Sequence, residues 1–107
     1  GVIVGGDYAK ENEAINNLAF TTDGGETWET ASGLTGFRSV VAYVPNKKKT
    51  LVAIGPTGGD YSTDDGRTWK PIPGTAYDTF SFVKGTKGKA LGWASGAKGN
   101  IGKLLIE

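Results

Sequence analysis

Thr21-Thr-Asp-Gly-Gly-Glu-Thr-Trp28 and Ser62-Thr-Asp-Asp-Gly-Arg-Thr-Trp69 are two copies of one eight-residue pattern placed 41 residues apart, with five identical positions. Each describes a locked β-hairpin. A short carboxylate at Asp23 or Asp64 can accept hydrogen bonds from the N–H groups of its own turn, and Gly25 or Gly66 permits the positive φ the turn requires. Thr27-Trp28 and Thr68-Trp69 then open the returning strand. There the β-branched residue suits the pleat, and the indole can cover the next layer with its N–H turned to a carbonyl. Self-similarity at this period marks a repeat architecture in which single units cannot bury their apolar faces alone.

The repeat extends beyond the hairpins. Ser39-Val-Val-Ala-Tyr43 aligns with Thr79-Phe-Ser-Phe-Val83 at an offset of 40, and Val52-Ala-Ile-Gly55 with Trp93-Ala-Ser-Gly96 at 41. Around the second hairpin the strands read 37–44, 51–55, 58–64 and 68–73, one complete four-stranded unit. Val2-Ile-Val-Gly5 corresponds to Val52-Ala-Ile-Gly55 at an offset of 50, nine more than 41, so the first unit starts at its second strand and carries a longer polar loop before its next strand, 18–22. In the third unit, 100–106 supplies the third strand. The expected class is therefore all-β, with antiparallel four-stranded β-propeller blades, about two and a half of them: residues 1–32, 33–73 and 74–107.

Both eight-residue segments resemble Asp-boxes, also called BNR repeats, of the kind found in sialidases, sortilin-type receptors, some β-glucan hydrolases and photosystem assembly-factor propellers. The resemblance rests on Thr21, Asp23, Gly25, Thr27 and Trp28, and on Ser62, Asp64, Gly66, Thr68 and Trp69. It implies a structural hairpin between the third and fourth strands of a blade, remote from the functional site. It also implies the C-terminal blades of a larger ring, in which the strand missing beside 100–106 comes from a longer parent chain or from another copy and covers Leu104 and Ile106.

Composition narrows the function classes. The 107 residues include 18 Gly, which fall in turns between short strands, and no Cys, His or Met. Thiol and imidazole chemistry is thereby excluded, and no cofactor or metal site is expected. Asp64-Asp65-Gly66 lacks the regularly spaced oxygen ligands and distal Glu of a calcium loop. The absence of Met suggests processing or excision from something longer. Net charge is +1, and the lysines gather at 47–49 and 84–89, where hairpin turns project into water, so nucleic acid is not implied. The apolar run 40–44 is far short of the ~20 residues of a spanning helix.

In the propeller arrangement the loops 7–17, 56–59 and 97–99 share one face with 33–38 and 74–78. Its chemical content is Tyr8, Glu11, Glu13, Arg38, Asp60, Tyr77 and Asp78. Loop 7–17 is absent from the equivalent place in the second unit, which makes it the natural place for specific contacts and dispensable to the framework. Arg38 and Asp78 hold equivalent positions and are expected to be neighbours, as an ion pair or with Arg38 free to orient a ligand. A sialidase site needs three arginines and a Tyr/Glu pair; this chain has two, and Arg67 lies inside a box turn. Glu11 and Glu13 could pair for glycoside hydrolysis, but they equally suit a solvated acidic loop. Trp93 reads as packing between blades. The reading is a non-enzymatic segment of a periplasmic or extracellular binding or assembly scaffold, with a protein or glycan ligand. A glycoside hydrolase with its acids on other blades, or a short self-assembling chain, are the alternatives.

Overall fold

The computed structural model describes residues 1–83 and 89–106 and consists of three antiparallel sheets. The first has the order β1 (Val2–Val4), β2 (Leu18–Phe20), β3 (Glu29–Thr30). The second is β4 (Val40–Tyr43), β5 (Leu51–Gly55), β6 (Gly58–Ser62), β7 (Lys70–Ile72). The third runs β10 (Ile101–Ile106), β9 (Ala90–Ser95), β8 (Thr79–Phe82). Among the described residues only a short 3-10 helix, Ala97–Gly99, interrupts the all-β pattern. The counts of three, four and three strands match the sequence reading: the first sheet lacks a counterpart of β4, and no described strand flanks the outer edge of β10.

β5 explains how the sheets stack. Every residue from Leu51 to Gly55 is buried, and side chains alternate across a strand. Leu51 and Ala53 therefore enter one core with Leu18, Leu34 and Trp69, while Val52 and Ile54 enter another with Val44, Phe80, Ala90 and Ala94. Full burial of a Leu, Ile or Val side chain contributes roughly 1.5–3 kcal/mol, so one short strand stabilises both interfaces. Phe80 and Phe82 add an edge-to-face contact with ring centroids 5.2 Å apart.

The strands are shorter than the sequence pattern suggests because turn and loop groups claim their terminal N–H donors. The reading of 37–44 shrinks to Val40–Tyr43, since the Phe37 N–H goes to the Glu11 carbonyl and the Arg38 N–H to the Gly5 carbonyl of the first sheet. Likewise β7 starts at Lys70, because the Thr68 N–H still belongs to the turn. The lysine turn at 47–49 projects from the β4–β5 hairpin, with Asn46 and Lys49 at positive φ. Lys84 and Lys87 of the second cluster lie outside the described residues.

Candidate functional site: two locked hairpins and a shared loop face

The two hairpins are the most regular polar structures in the chain. In the first, the Thr21 hydroxyl donates to Asp23 Oδ1 at 2.7 Å and accepts from the Gly25 N–H at 3.1 Å. Asp23 Oδ1 also accepts the Thr27 N–H at 2.9 Å, its other oxygen takes the Thr27 hydroxyl, and the Trp28 indole donates to the Gly25 carbonyl at 3.0 Å. The second repeats every bond. Ser62 Oγ donates to Asp64 Oδ1 at 2.8 Å and accepts from Gly66 at 2.9 Å. Asp64 takes the Thr68 N–H at 2.9 Å and the Thr68 hydroxyl, and Trp69 Nε1 donates to the Gly66 carbonyl at 2.8 Å. Gly25 and Gly66 lie at φ 95° and 91°, each preceded by another left-handed residue, Gly24 or Asp65. Asp is one of the few non-glycine residues that adopts that conformation readily.

These donors stabilise the charged carboxylates. The Thr27 hydroxyl, ahead of the Thr27 N–H and the Thr21 hydroxyl, holds Asp23 down at about 2, and the Thr68 hydroxyl and N–H do the same for Asp64. Both oxygens of each carboxylate accept from the turn itself. The surroundings of the two hairpins differ: Trp69 is 8% exposed in the first interface, whereas Trp28 is 43% exposed.

Opposite the hairpins, loops from all three sheets are tied into one face. The Glu11 carbonyl accepts the Phe37 N–H at 2.9 Å and the Thr57 hydroxyl at 3.0 Å, joining 7–17 to both 33–38 and 56–59. Buried Asn17 donates to the Gly36 carbonyl at 2.8 Å. Tyr77 N–H reaches the Gly55 carbonyl at 3.2 Å, and Asn100 Nδ2 the Ala76 carbonyl at 3.3 Å. Gly36 is required at this crowded point, because a β-carbon there would lie 2.6 Å from the Glu11 carbonyl.

Beneath the face sits a buried ion pair. Arg38 Nε lies 2.8 Å from Asp60 Oδ2, with both side chains wholly inaccessible. The remaining guanidinium donors go to the Phe37 carbonyl at 2.8 Å, the Thr57 hydroxyl at 3.3 Å and the Thr35 hydroxyl. Thr35 closes the network by donating from its N–H at 3.2 Å and its hydroxyl at 3.1 Å to Asp60. The expected Arg38–Asp78 ion pair is thus corrected, although the two segments do lie side by side. Asp60, on β6 two strands across from the β4 that Arg38 leads into, takes the guanidinium, while Asp78 is exposed and its carbonyl accepts the Ser39 hydroxyl. With all three guanidinium nitrogens hydrogen-bonded and the side chain wholly inaccessible, Arg38 presents nothing to a ligand.

BNR/Asp-box repeat is the family that matches, at residues 19–30 and 60–71. The chain carries two BNR/Asp-box repeats. No curated protein and no solved structure matches it. Each Asp-box joins the third-strand position of its sheet to the fourth: β2 to β3, and β6 to β7.

The other sequence candidates divide between surface and packing. Tyr8 is 80% exposed; Glu11 and Glu13 also face solvent, with Glu13 Oε2 4.0 Å from Lys10 Nζ. Tyr77 is partly buried against the second core, and its ring covers Gly102, where any β-carbon would overlap the hydroxyl. Strand register makes Gly102 the equivalent of Asp60, since Ala94↔Gly102 matches Ala53↔Asp60. One unit fills this place with an ion pair and the next with a phenol ring. Thr35, Thr57 and Asn17 were not singled out by the sequence, because hydroxyl and amide residues in polar loops carry no pattern. Trp93, read as core, is half exposed on the outer face of the third sheet. Among the described residues no group of three or more acidic side chains could hold a metal ion, and no helix is long and apolar enough to cross a membrane.

Proposed function

We propose that the chain is a non-enzymatic Asp-box propeller segment of a periplasmic or extracellular binding or assembly scaffold, in which the boxes maintain the fold and loop 7–17 meets a protein or glycan ligand. The observation carrying this reading is the division of labour on the loop face. Arg38 and Asp60 are consumed by each other and by Thr35 and Thr57. The side chains of Tyr8, Glu11 and Glu13, by contrast, stand in solvent on a loop whose backbone is strapped down through the Glu11 carbonyl. A backbone already held in place adds little loop-ordering cost on binding. Because Asn17 and the Glu11 carbonyl are built into the framework, the loop is only partly dispensable, and its binding capacity lies in outward side chains. The partners of the open array are the remaining blades of a longer chain or other copies of this one.

A glycan array and a panel of nitrophenyl glycosides test this with the wild-type chain and a Tyr8→Ala/Glu11→Gln/Glu13→Gln variant. The expected result is binding without turnover, lost in the variant while its circular dichroism is unchanged. Hydrolysis that disappears with Glu11→Gln would instead establish a glycoside hydrolase.

A further inference from the structure

A cleft of about 380 Å³ opens between the two Asp-boxes, at the opposite end of the strands from loop 7–17. Thr22 and Gly24 of the first box and Asp65 and Arg67 of the second line it, with Phe20 and Tyr43 from the flanking strands. The residues that lock each turn are spent on the turn: even Thr21, at the edge of the cleft, gives its hydroxyl to Asp23. What faces the cleft comes instead from the two positions where the boxes differ in charge, Gly24 against Asp65 and Glu26 against Arg67. A rigid frame that presents such residues at a concave surface is how scaffolds carry binding groups.

The two charges are held in place. The Arg67 guanidinium carbon lies 5.4 Å from the centroid of the Phe20 ring, so a side chain of the second box rests on the first sheet. Arg67 is exposed and has no ion-pair partner among the described residues. The ring contact therefore positions the fork and leaves it without an acceptor. Asp65 stands at a left-handed φ of 62°, its N–H bonded to the Lys49 carbonyl at 3.0 Å, and its Oδ1 accepts the Tyr43 hydroxyl at 3.3 Å. Tyr43 is 48% exposed and offers a ring face beside them.

One cation and one anion at a single cleft define what fits. A sulfate or phosphate would meet Asp65 as a like charge, and a neutral sugar would leave the guanidinium unpaired. A molecule with one carboxylate and neighbouring hydroxyls satisfies both, since the guanidinium fork matches a carboxylate and a carboxylate accepts O–H donors. The volume lies in the range of small-molecule pockets. We infer that the cleft between the boxes binds a sugar acid, its carboxylate on Arg67, its hydroxyls on Asp65 and its ring against Tyr43, at a site separate from loop 7–17.

The test titrates the isotope-labelled 107-residue chain with D-glucuronate and follows amide shifts. Saturable shifts at 20–22, 43 and 65–67 but not at 7–17 are expected, with a dissociation constant below about 10 mM, the weak end of the affinity scale. Arg67→Gln should weaken binding about tenfold or more, the worth of charge-assisted bonds. Asp65→Asn, which retains a side chain suited to left-handed φ, should weaken glucuronate and admit the sulfate that the wild type excludes. Unmoved amide positions across β5 check the folding of both variants. The amine of Gly1 also borders the cleft, so the titration is repeated on the chain acetylated there; binding that persists supports Arg67 as the anion's partner, and binding that vanishes overturns it. Equal binding of D-glucose, glycine or sulfate to the wild type, indifference to Arg67→Gln, or no shift at 10 mM overturns the assignment.

Discussion

Replacing Asp60 by Ala should be among the most damaging single changes in this chain. It removes the acceptor of Arg38 Nε and of two Thr35 donors, and leaves a guanidinium that is wholly inaccessible to water without its countercharge. Breaking a buried pair from one side costs about 3–5 kcal/mol, roughly a fifth or more of the stability of a domain this size. At roughly 4 °C or more per kcal/mol, the midpoint should fall by about 12 °C or more. Asp60→Asn keeps an acceptor but not the charge, and should cost less. Arg38→Met combined with Asp60→Ala should cost less than the sum of the two singles, by about 0.5–3 kcal/mol of coupling. Urea titration at low and high salt measures all four, and high salt should change little because a buried pair is poorly screened. An Asp60→Ala cost under about 1 kcal/mol, or strict additivity, would refute the argument that the pair is buried and isolated from solvent.

Two further outcomes follow from the Asp-boxes. Asp23 and Asp64 sit at about 2 in the folded chain against an ordinary value of 3.8, so the stability they supply is present above the unfolded value and is lost as pH falls from about 4 through 2. Thermal melts across that window should steepen for the wild type and flatten for Asp23→Asn/Asp64→Asn; an identical pH profile would show that the hydroxyl bonds do not favour the charged form. Trp69→Ala should cost about 3–5 kcal/mol and the 43%-exposed Trp28→Ala less than half of that, and equal losses by urea titration would contradict the difference in packing.

What the sequence reveals and what it conceals divides by distance along the chain. The hairpin bonds run from one residue to another two to four positions away, so eight residues carry all the information needed to place them. Strand order was legible for a related reason: apolar patterns recurring at a fixed period fix which segments are equivalent. The Arg38–Asp60 pair spans 22 positions and competes on paper with Asp78, which holds the repeat-equivalent position of Arg38 in the next unit. Only the register of β5 against β6 decides between them, and no residue type encodes that register alone. The seam formed by the Glu11 carbonyl was invisible for a different reason, because it is a backbone group and any residue at position 11 would supply it.

The ring of Tyr77 over Gly102 has a bearing on how such a chain can change. Duplicated units suggest that segments could be exchanged by recombination, since their strands recur at a fixed offset in sequence. In the layer under the loops they cannot. A crossover giving the third unit an aspartate at position 102 would drive a carboxylate into the phenol hydroxyl, and one giving the second unit a glycine at position 60 would abandon the arginine. Each copy is tied to its own neighbour in that layer, so exchanging it between units requires two or more residues to change together.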